Sequence, residues 1–251
     1  MAKQELKLNT QAPNTLDGRQ VRALAFMPAR EALLDQLLGD FSSSSRRALV
    51  VGGGYSPLAQ ALLDRGFETT VVDPSEEAVE IARSLTPGAR FMVAPSVTID
   101  PSLGDFDLVY CADTLETHDH LDQMMGQLAK ALAPGGWLIL DTVADTVIAK
   151  FIYLLAFQRL PFSKIMPSPR YAASRLRNPE AIRLALRNAE LSLEKIIGFE
   201  PASIGALVST VLKRRSGRIS DREIPAASGF KLSDEAHPPV VTYFAVAHKD
   251  A

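Results

Sequence analysis

Cys111 is the single cysteine of the 251-residue chain, so no internal disulfide can form and no cysteine-based metal site can be assembled. No apolar run approaches the roughly 18 residues that a membrane span requires. Neither sign of charge dominates. Lys and Arg number 27 against 29 Asp and Glu, a formal net charge of −2, which gives no support for nucleic acid as the main partner. No internal repeat is present. The opening MAKQELKLNTQAPNT is polar and lacks the apolar core of a secretory signal, so a cytoplasmic location is the expectation. What is present is ordinary for a globular chain: 47% hydrophobic and 22% charged residues, enough for one large domain.

A polar stretch, 1–14, precedes a helical pattern over Asp17–Leu38, with Leu24, Phe26, Leu33, Leu34, Leu37 and Leu38 on its apolar face. SSSSRR then breaks the pattern. From there strands and helices alternate. Strands are predicted at Ala48–Val51, Thr69–Val72, Phe91–Val93, Phe106–Ala112 and Trp137–Val143. Helices are predicted at Pro57–Arg65, from Glu76 with Ser75 as cap, and over LDQMMGQLAKALAPGG, where Pro134-Gly135-Gly136 stops the turn. This alternation predicts an α/β fold with a doubly wound, mostly parallel sheet. Beyond Ala144 the rhythm changes to an apolar run, FIYLLAFQRLPF (151–162), and a basic, irregular piece. A helix at Pro179–Asn188, a strand at Leu191–Ile197, a helix at Ser203–Arg215 and a last strand at Val240–His248 follow. Residues 1–44 read as a tail and helix, and 45–251 as the main domain.

The stretch ALVVGGGYSPLAQALLDRGFETTVVDPS (48–75) carries the strongest chemical signal. It reads as an apolar strand, a glycine turn, a helix, and a second strand ending in Asp73. Glycines let the chain turn tightly and let a ligand approach the backbone at a helix N-terminus. A carboxylate about 20 residues on is where such a fold grips a ribose diol. An adenosine-containing cofactor is the expectation, held by Gly52, Gly53, Gly54, Tyr55, Asp73 and Pro74. A nicotinamide or flavin dinucleotide fits less of the chain: Pro57 stands at the third glycine position, and Tyr171 is followed four residues later by Arg175 rather than lysine.

Four stretches in order, ALVVGGGYS, VVDPSEEAVEIAR, FDLVYCADTLE and LAKALAPGGWLIL, resemble the class I S-adenosylmethionine-dependent methyltransferases. The resemblance covers about residues 45–145. It implies a seven-stranded sheet of order 3-2-1-4-5-7-6 with its last strand antiparallel. It also implies S-adenosylmethionine as cofactor, a small-molecule acceptor, and connectors 144–178 and 201–239 as the substrate side. Ser96 and Ala112 join the cofactor residues by the same matching. Val50 and Ser56 stand where the family usually has an acid and a glycine. They keep open a second reading, a cofactor- or partner-binding relative that does not methylate or that puts the cofactor to another use.

Within that family the chain is most similar to the ubiquinone-biosynthesis O-methyltransferases, whose Glu-x-x-Glu-His stretch after strand four is implicated in divalent-metal binding. Here the place reads Asp113-Thr114-Leu115-Glu116-Thr117-His118-Asp119. By resemblance Asp113 and Glu116 are oxygen ligands for Mg²⁺, while the histidine falls one residue late. Two carboxylates three apart on a helical turn share a face. Asp113, Glu116 and His118 are therefore the candidate catalytic residues, with His118 or His120 able to take a proton. The alternative is that Asp113 and Thr114 cap the next helix. The run 151–162 is too short to span a bilayer. It reads as a lid or core helix over an apolar pocket, or as a peripheral membrane contact edged by bases. Either use favours a small apolar acceptor, and the resemblance implies an aromatic or quinol-like one methylated on oxygen.

Overall fold

The computed structural model describes residues 18–37, 46–52, 57–95, 98–161, 163–166 and 168–251. The expected tail at 1–14, and Gly53, Gly54, Tyr55, Ser56 and Ser96, lie outside the described residues. Helix α1 (Gly18–Leu37) leads to β1 (Arg47–Val51), α2 (Pro57–Asp64), β2 (Glu68–Asp73), α3 (Glu76–Leu85), β3 (Arg90–Val93), β4 (Phe106–Cys111), α4 (Leu121–Ala131) and β5 (Leu132–Val143). Then come α5 (Val147–Lys150), which runs on into a π-helical segment at Phe151–Ala156, and α6 (Pro179–Asn188), β6 (Leu191–Glu200), α7 (Ile204–Arg215), α8 (Ile224–Ser228), β7 (Lys231–Leu232) and β8 (Thr242–Lys249).

One sheet of order β3-β2-β1-β4-β5-β8-β6-β7 organises these elements. Strands β3, β2, β1, β4 and β5 are mutually parallel. Strand β8 runs antiparallel between β5 and β6. The expected seven strands and their order are present, with the antiparallel one last in the chain. The difference is an eighth: the two-residue edge strand β7, which pairs Leu232 with Phe199. Two residues are too few to leave a pattern of alternation.

Central strands in such a sheet are buried on both faces and so read as unbroken apolar runs. In β1, Ala48 and Val50 pack on one side with α1, α2 and α3, while Leu49 and Val51 pack on the other with α4 and α6. Val50 is fully buried in the first layer. A third apolar cluster joins Val143, Tyr153, Phe157, Tyr171 and Val211 at the carboxyl end of β5.

Local chemistry explains most boundaries. The Ser75 hydroxyl accepts from the Ala78 N–H, and Glu76 and Glu77 occupy the positive end of α3. Asn178 caps α6 and Pro179 opens it, and Ser203 caps α7. The turn before β5 differs from expectation. Leu132 already pairs with Phe106, and the ladder slips before Leu108 meets Trp137, so the Pro-Gly-Gly residues lie within an irregular start of the strand. Among the described residues no helix is long and apolar enough to cross a membrane.

Candidate active site

The carboxyl ends of β1, β2, β4 and β5 converge beneath α1. At the end of β1, the Gly52 N–H donates to the Val72 carbonyl at 2.9 Å. Its φ is +80°, and a Cβ there would lie 1.7 Å from Thr114 Oγ1 and 2.8 Å from the Ala112 carbonyl. Only glycine fits this backbone and this gap. Gly52→Ala is expected to lower unfolding stability by at least about 2 kcal/mol, through left-handed backbone strain and the clash together. Urea denaturation measures it, and a change within experimental error would contradict the cradle as described.

At the end of β2, Asp73 is fully buried. Its Oδ1 accepts the Ser75 N–H at 2.9 Å, and its Oδ2 meets Arg19 Nη2 of α1 at 2.8 Å. Pro74 is half-buried beside it, and Ala112, at the end of β4, is buried. The missing Cβ of Gly52 makes room for Thr114 and the end of β4, and a buried carboxylate at the neighbouring strand end is a group that could hold a ribose diol. Gly52, Asp73, Pro74 and Ala112 are thus brought to one edge.

Next to this edge lies an ionic layer that the sequence reading missed. Arg22 Nε pairs with Asp113 Oδ1 at 2.9 Å, and Arg22 Nη1 pairs with Glu116 Oε1 and donates to the Tyr171 hydroxyl at 2.9 Å. Arg30 Nη2 pairs with Asp113 Oδ2 at 2.9 Å and Asp141 Oδ2 at 2.8 Å. Asp141 Oδ1 accepts the Asp113 N–H at 3.0 Å. Asp113 has φ +51°, a left-handed conformation that aspartate tolerates better than most residues. Both of its oxygens are held by α1.

Arg19, Arg22, Phe26 and Arg30 recur at helical spacing and share one stripe of α1. The Phe26 ring lies 5.0 Å from the Arg22 guanidinium carbon and 5.5 Å from that of Arg30. That spacing was the available signal, but an arginine stripe more often faces water, so the pattern alone pointed outward.

Burial by itself would lower the pKa of Arg22, but Glu116, Tyr171 and Asp113 outweigh it and hold the guanidinium well above the usual arginine range. Burial would raise Asp113, yet Arg30 and then Arg22 keep it below the usual carboxylate range. Asp141 goes the other way: burial pushes it up to about 6, Arg30 opposes this in part, and the charge of Asp113 adds to it. A folded-state pKa above the unfolded value means that the fold favours protonated Asp141. Its stabilising contribution is complete below the ordinary carboxylate range and is lost as pH rises through about 6. Relative to Asp141→Asn, the wild type is expected to lose melting temperature as pH goes from about 4 to about 7. A difference that is flat across that range would contradict the assignment.

The Mg²⁺ assignment does not fit these residues. Asp113 and Glu116 do share a face, but a guanidinium stands between them, and a second one holds the other oxygen of Asp113. Among the described residues, no group of three His, Cys, Asp or Glu could hold a metal ion. At the family's histidine position, Thr117 donates its hydroxyl to the Thr114 carbonyl at 2.7 Å. His118 Nδ1 lies 3.1 Å from that same carbonyl and 3.0 Å from Thr117 Oγ1, and His120 precedes α4. Thr114 itself bonds the Ala112 carbonyl and caps nothing.

The connector after β5 closes the other side. Ile152, Tyr153 and Phe157 are buried, whereas Phe151 and Leu155 are exposed. The Tyr153 and Tyr171 rings lie 5.3 and 5.8 Å from the Arg22 guanidinium carbon. Gln158 ties the connector together, accepting from the Tyr171 N–H at 2.8 Å and donating to its carbonyl at 3.1 Å. Phe26, Tyr153 and Tyr171 thus surround the guanidinium of Arg22, which pairs with Glu116.

A family model described as a methyltransferase domain matches residues 21–196. A ubiquinone biosynthesis O-methyltransferase of Xanthomonas oryzae pv. oryzae is 28% identical over 193 residues, 74% of this chain and 78% of its own. Among solved structures, a SAM-dependent methyltransferase from Methanosarcina mazei superposes with TM-score 0.58 at 14% identity, over 85% of this chain and 97% of its own. The magnesium protoporphyrin IX methyltransferase of Synechocystis PCC 6803, solved with bound SAH, superposes with TM-score 0.58 at 15% identity, over 98% and 90%. These two likenesses show the fold.

Proposed function

We propose that this chain, which belongs to the methyltransferase domain family and is an S-adenosylmethionine-dependent methyltransferase, methylates an oxygen of a small, apolar, aromatic or quinol-like acceptor. The observation that carries the reading is the juxtaposition of two half-sites. The buried Asp73 carboxylate at the end of β2, next to the turn that begins at Gly52, suits the ribose of the cofactor. One strand further, Arg22 lies within the rings of Phe26, Tyr153 and Tyr171 and pairs with Glu116. S-adenosylmethionine supplies a methyl group on a positively charged sulfur. The protein's task is to align an acceptor oxygen with it and to remove the proton of that oxygen. Apolar rings exclude water and suit an aromatic acceptor. The oxygen acceptor also agrees with the Xanthomonas relative, which is named an O-methyltransferase.

Peripheral membrane contact through 151–162 belongs to the same proposal. Val147, Ile148, Phe151 and Leu155 are exposed at helical spacing, as are Ile204, Val208 and Leu212 of α7. Arg159, Lys164 and Lys213 are exposed nearby in the chain. Apolar stripes edged by bases suit an interface that presents an apolar acceptor.

One observation favours the second reading, a relative that binds without methylating. Arg19 already holds Asp73 Oδ2, the atom on which the ribose would compete. Radiolabelled methyl transfer to a panel of catechols and hydroquinones tests the choice. Label in an ether product supports the proposal. Binding of S-adenosylhomocysteine without turnover on any member would favour the second reading.

A further inference from the structure

We infer that Arg22 is this chain's resident cation: a guanidinium clamped where the resemblance places a divalent metal, making the acceptor site metal-independent. The inference rests on the methyltransferase reading for what the cation does, but not for where it sits.

Three observations place it. Arg22 reaches both carboxylates at once, Nε to Asp113 Oδ1 at 2.9 Å and Nη1 to Glu116 Oε1, so it bridges the same two groups that a metal would bridge. Arg22 and Glu116 are both buried, and a buried guanidinium with this many anionic partners stays charged. Among the described residues, Arg22 Nη2 and Glu116 Oε2 have no hydrogen-bond partner. One is a donor that cannot accept, and the other a carboxylate oxygen that accepts. Unmet buried atoms of opposite sense are costly unless something joins them.

A hydroxyl group admitted between them would satisfy both. Its oxygen accepts from Arg22 Nη2 and its hydrogen goes to Glu116 Oε2. In the reaction, Glu116 takes that proton and the freed oxygen bonds to the methyl carbon. The carbon–sulfur electron pair stays on the departing thioether. Arg22 offsets the charge that develops on the oxygen, the work a Lewis acid does elsewhere. More distant bases, Arg170 toward Asp113 and Arg177 toward Glu116, add to the same field.

The test is Mn²⁺ binding followed by electron paramagnetic resonance on the full-length wild type and on Arg22→Gln, Glu116→Gln and the double variant. The wild type is expected to show no Mn²⁺ site that Glu116→Gln removes. Arg22→Gln should gain one in the millimolar range or tighter, as a site with two carboxylates allows, and the double variant should lose it. A wild-type site abolished by Glu116→Gln would overturn the inference, and so would a folded Arg22→Gln that binds no Mn²⁺. If Arg22→Gln fails to fold, the wild type against Glu116→Gln decides, together with methyl transfer in excess chelator: an unchanged rate supports the inference and a lost rate overturns it. S-adenosylhomocysteine binding, measured in parallel, reports on the methyltransferase reading separately.

Discussion

Arg30→Leu is expected to cost about 3–5 kcal/mol of unfolding free energy, the usual penalty for removing one partner of a buried charge cluster. Arg30 is fully buried and contacts Asp113 and Asp141 together. Leucine fills part of the volume but leaves two carboxyls facing each other in a dry layer. The loss should carry a pH signature. Without Arg30, protonation is the route by which Asp113 and Asp141 shed their repulsion, so the variant recovers stability as pH falls toward 5. Arg30→Lys should fall between, since it keeps the charge but not the planar fork that reaches both carboxylates. Denaturant unfolding of the three proteins near pH 8 and near pH 5 measures this. A small, pH-independent loss for Arg30→Leu would mean that the cluster is less tightly coupled than the distances indicate.

Asp73→Ala is expected to weaken S-adenosylhomocysteine binding by about 1.5–3 kcal/mol, the range for hydrogen bonds to a charged group. The carboxylate lies at the end of β2, beside the Gly52 cradle. Because Arg19 and the Ser75 N–H also use it, Asp73→Ala removes those two contacts as well. Asp73→Asn separates these effects: it keeps an oxygen for Ser75 and removes the charge that attracts Arg19. If both variants bind as tightly as the wild type, Asp73 serves the fold, and the ribose is held elsewhere.

Much of the architecture was legible because it rests on local signals. The apolar run of β1, the cap at Ser75, the Asn178-Pro179 start of α6 and the Ser203 cap of α7 each announce themselves within a few residues. The position of Asp73 was legible too, since a glycine turn and a carboxylate at that distance follow from one strand–helix–strand unit. What the sequence did not reveal was long-range pairing. Arg22 and Glu116 are 94 positions apart, and Arg30 and Asp141 are 111 apart. Buried arginines acquire meaning only once the sheet brings their carboxylates beneath the helix. For the same reason Asp113 and Glu116 read as metal ligands: their spacing is visible in the chain, and the guanidinium between them is not. Within the apolar run 151–162 the sequence did not say which residues turn inward: Phe157 packs beside Tyr153 while Phe151 and Leu155 stay outside. Strand β7 is too short to be seen before folding.

The central claim is that the edge formed by Gly52 and Asp73 holds the adenosyl cofactor. Isothermal titration of the full chain with S-adenosylhomocysteine tests it most directly. Saturable one-to-one binding at micromolar concentration, weakened by Asp73→Ala, is the predicted result. A well-folded protein that shows no heat of binding at millimolar ligand would contradict it, and would make the Arg19–Asp73 pair the permanent occupant of that edge.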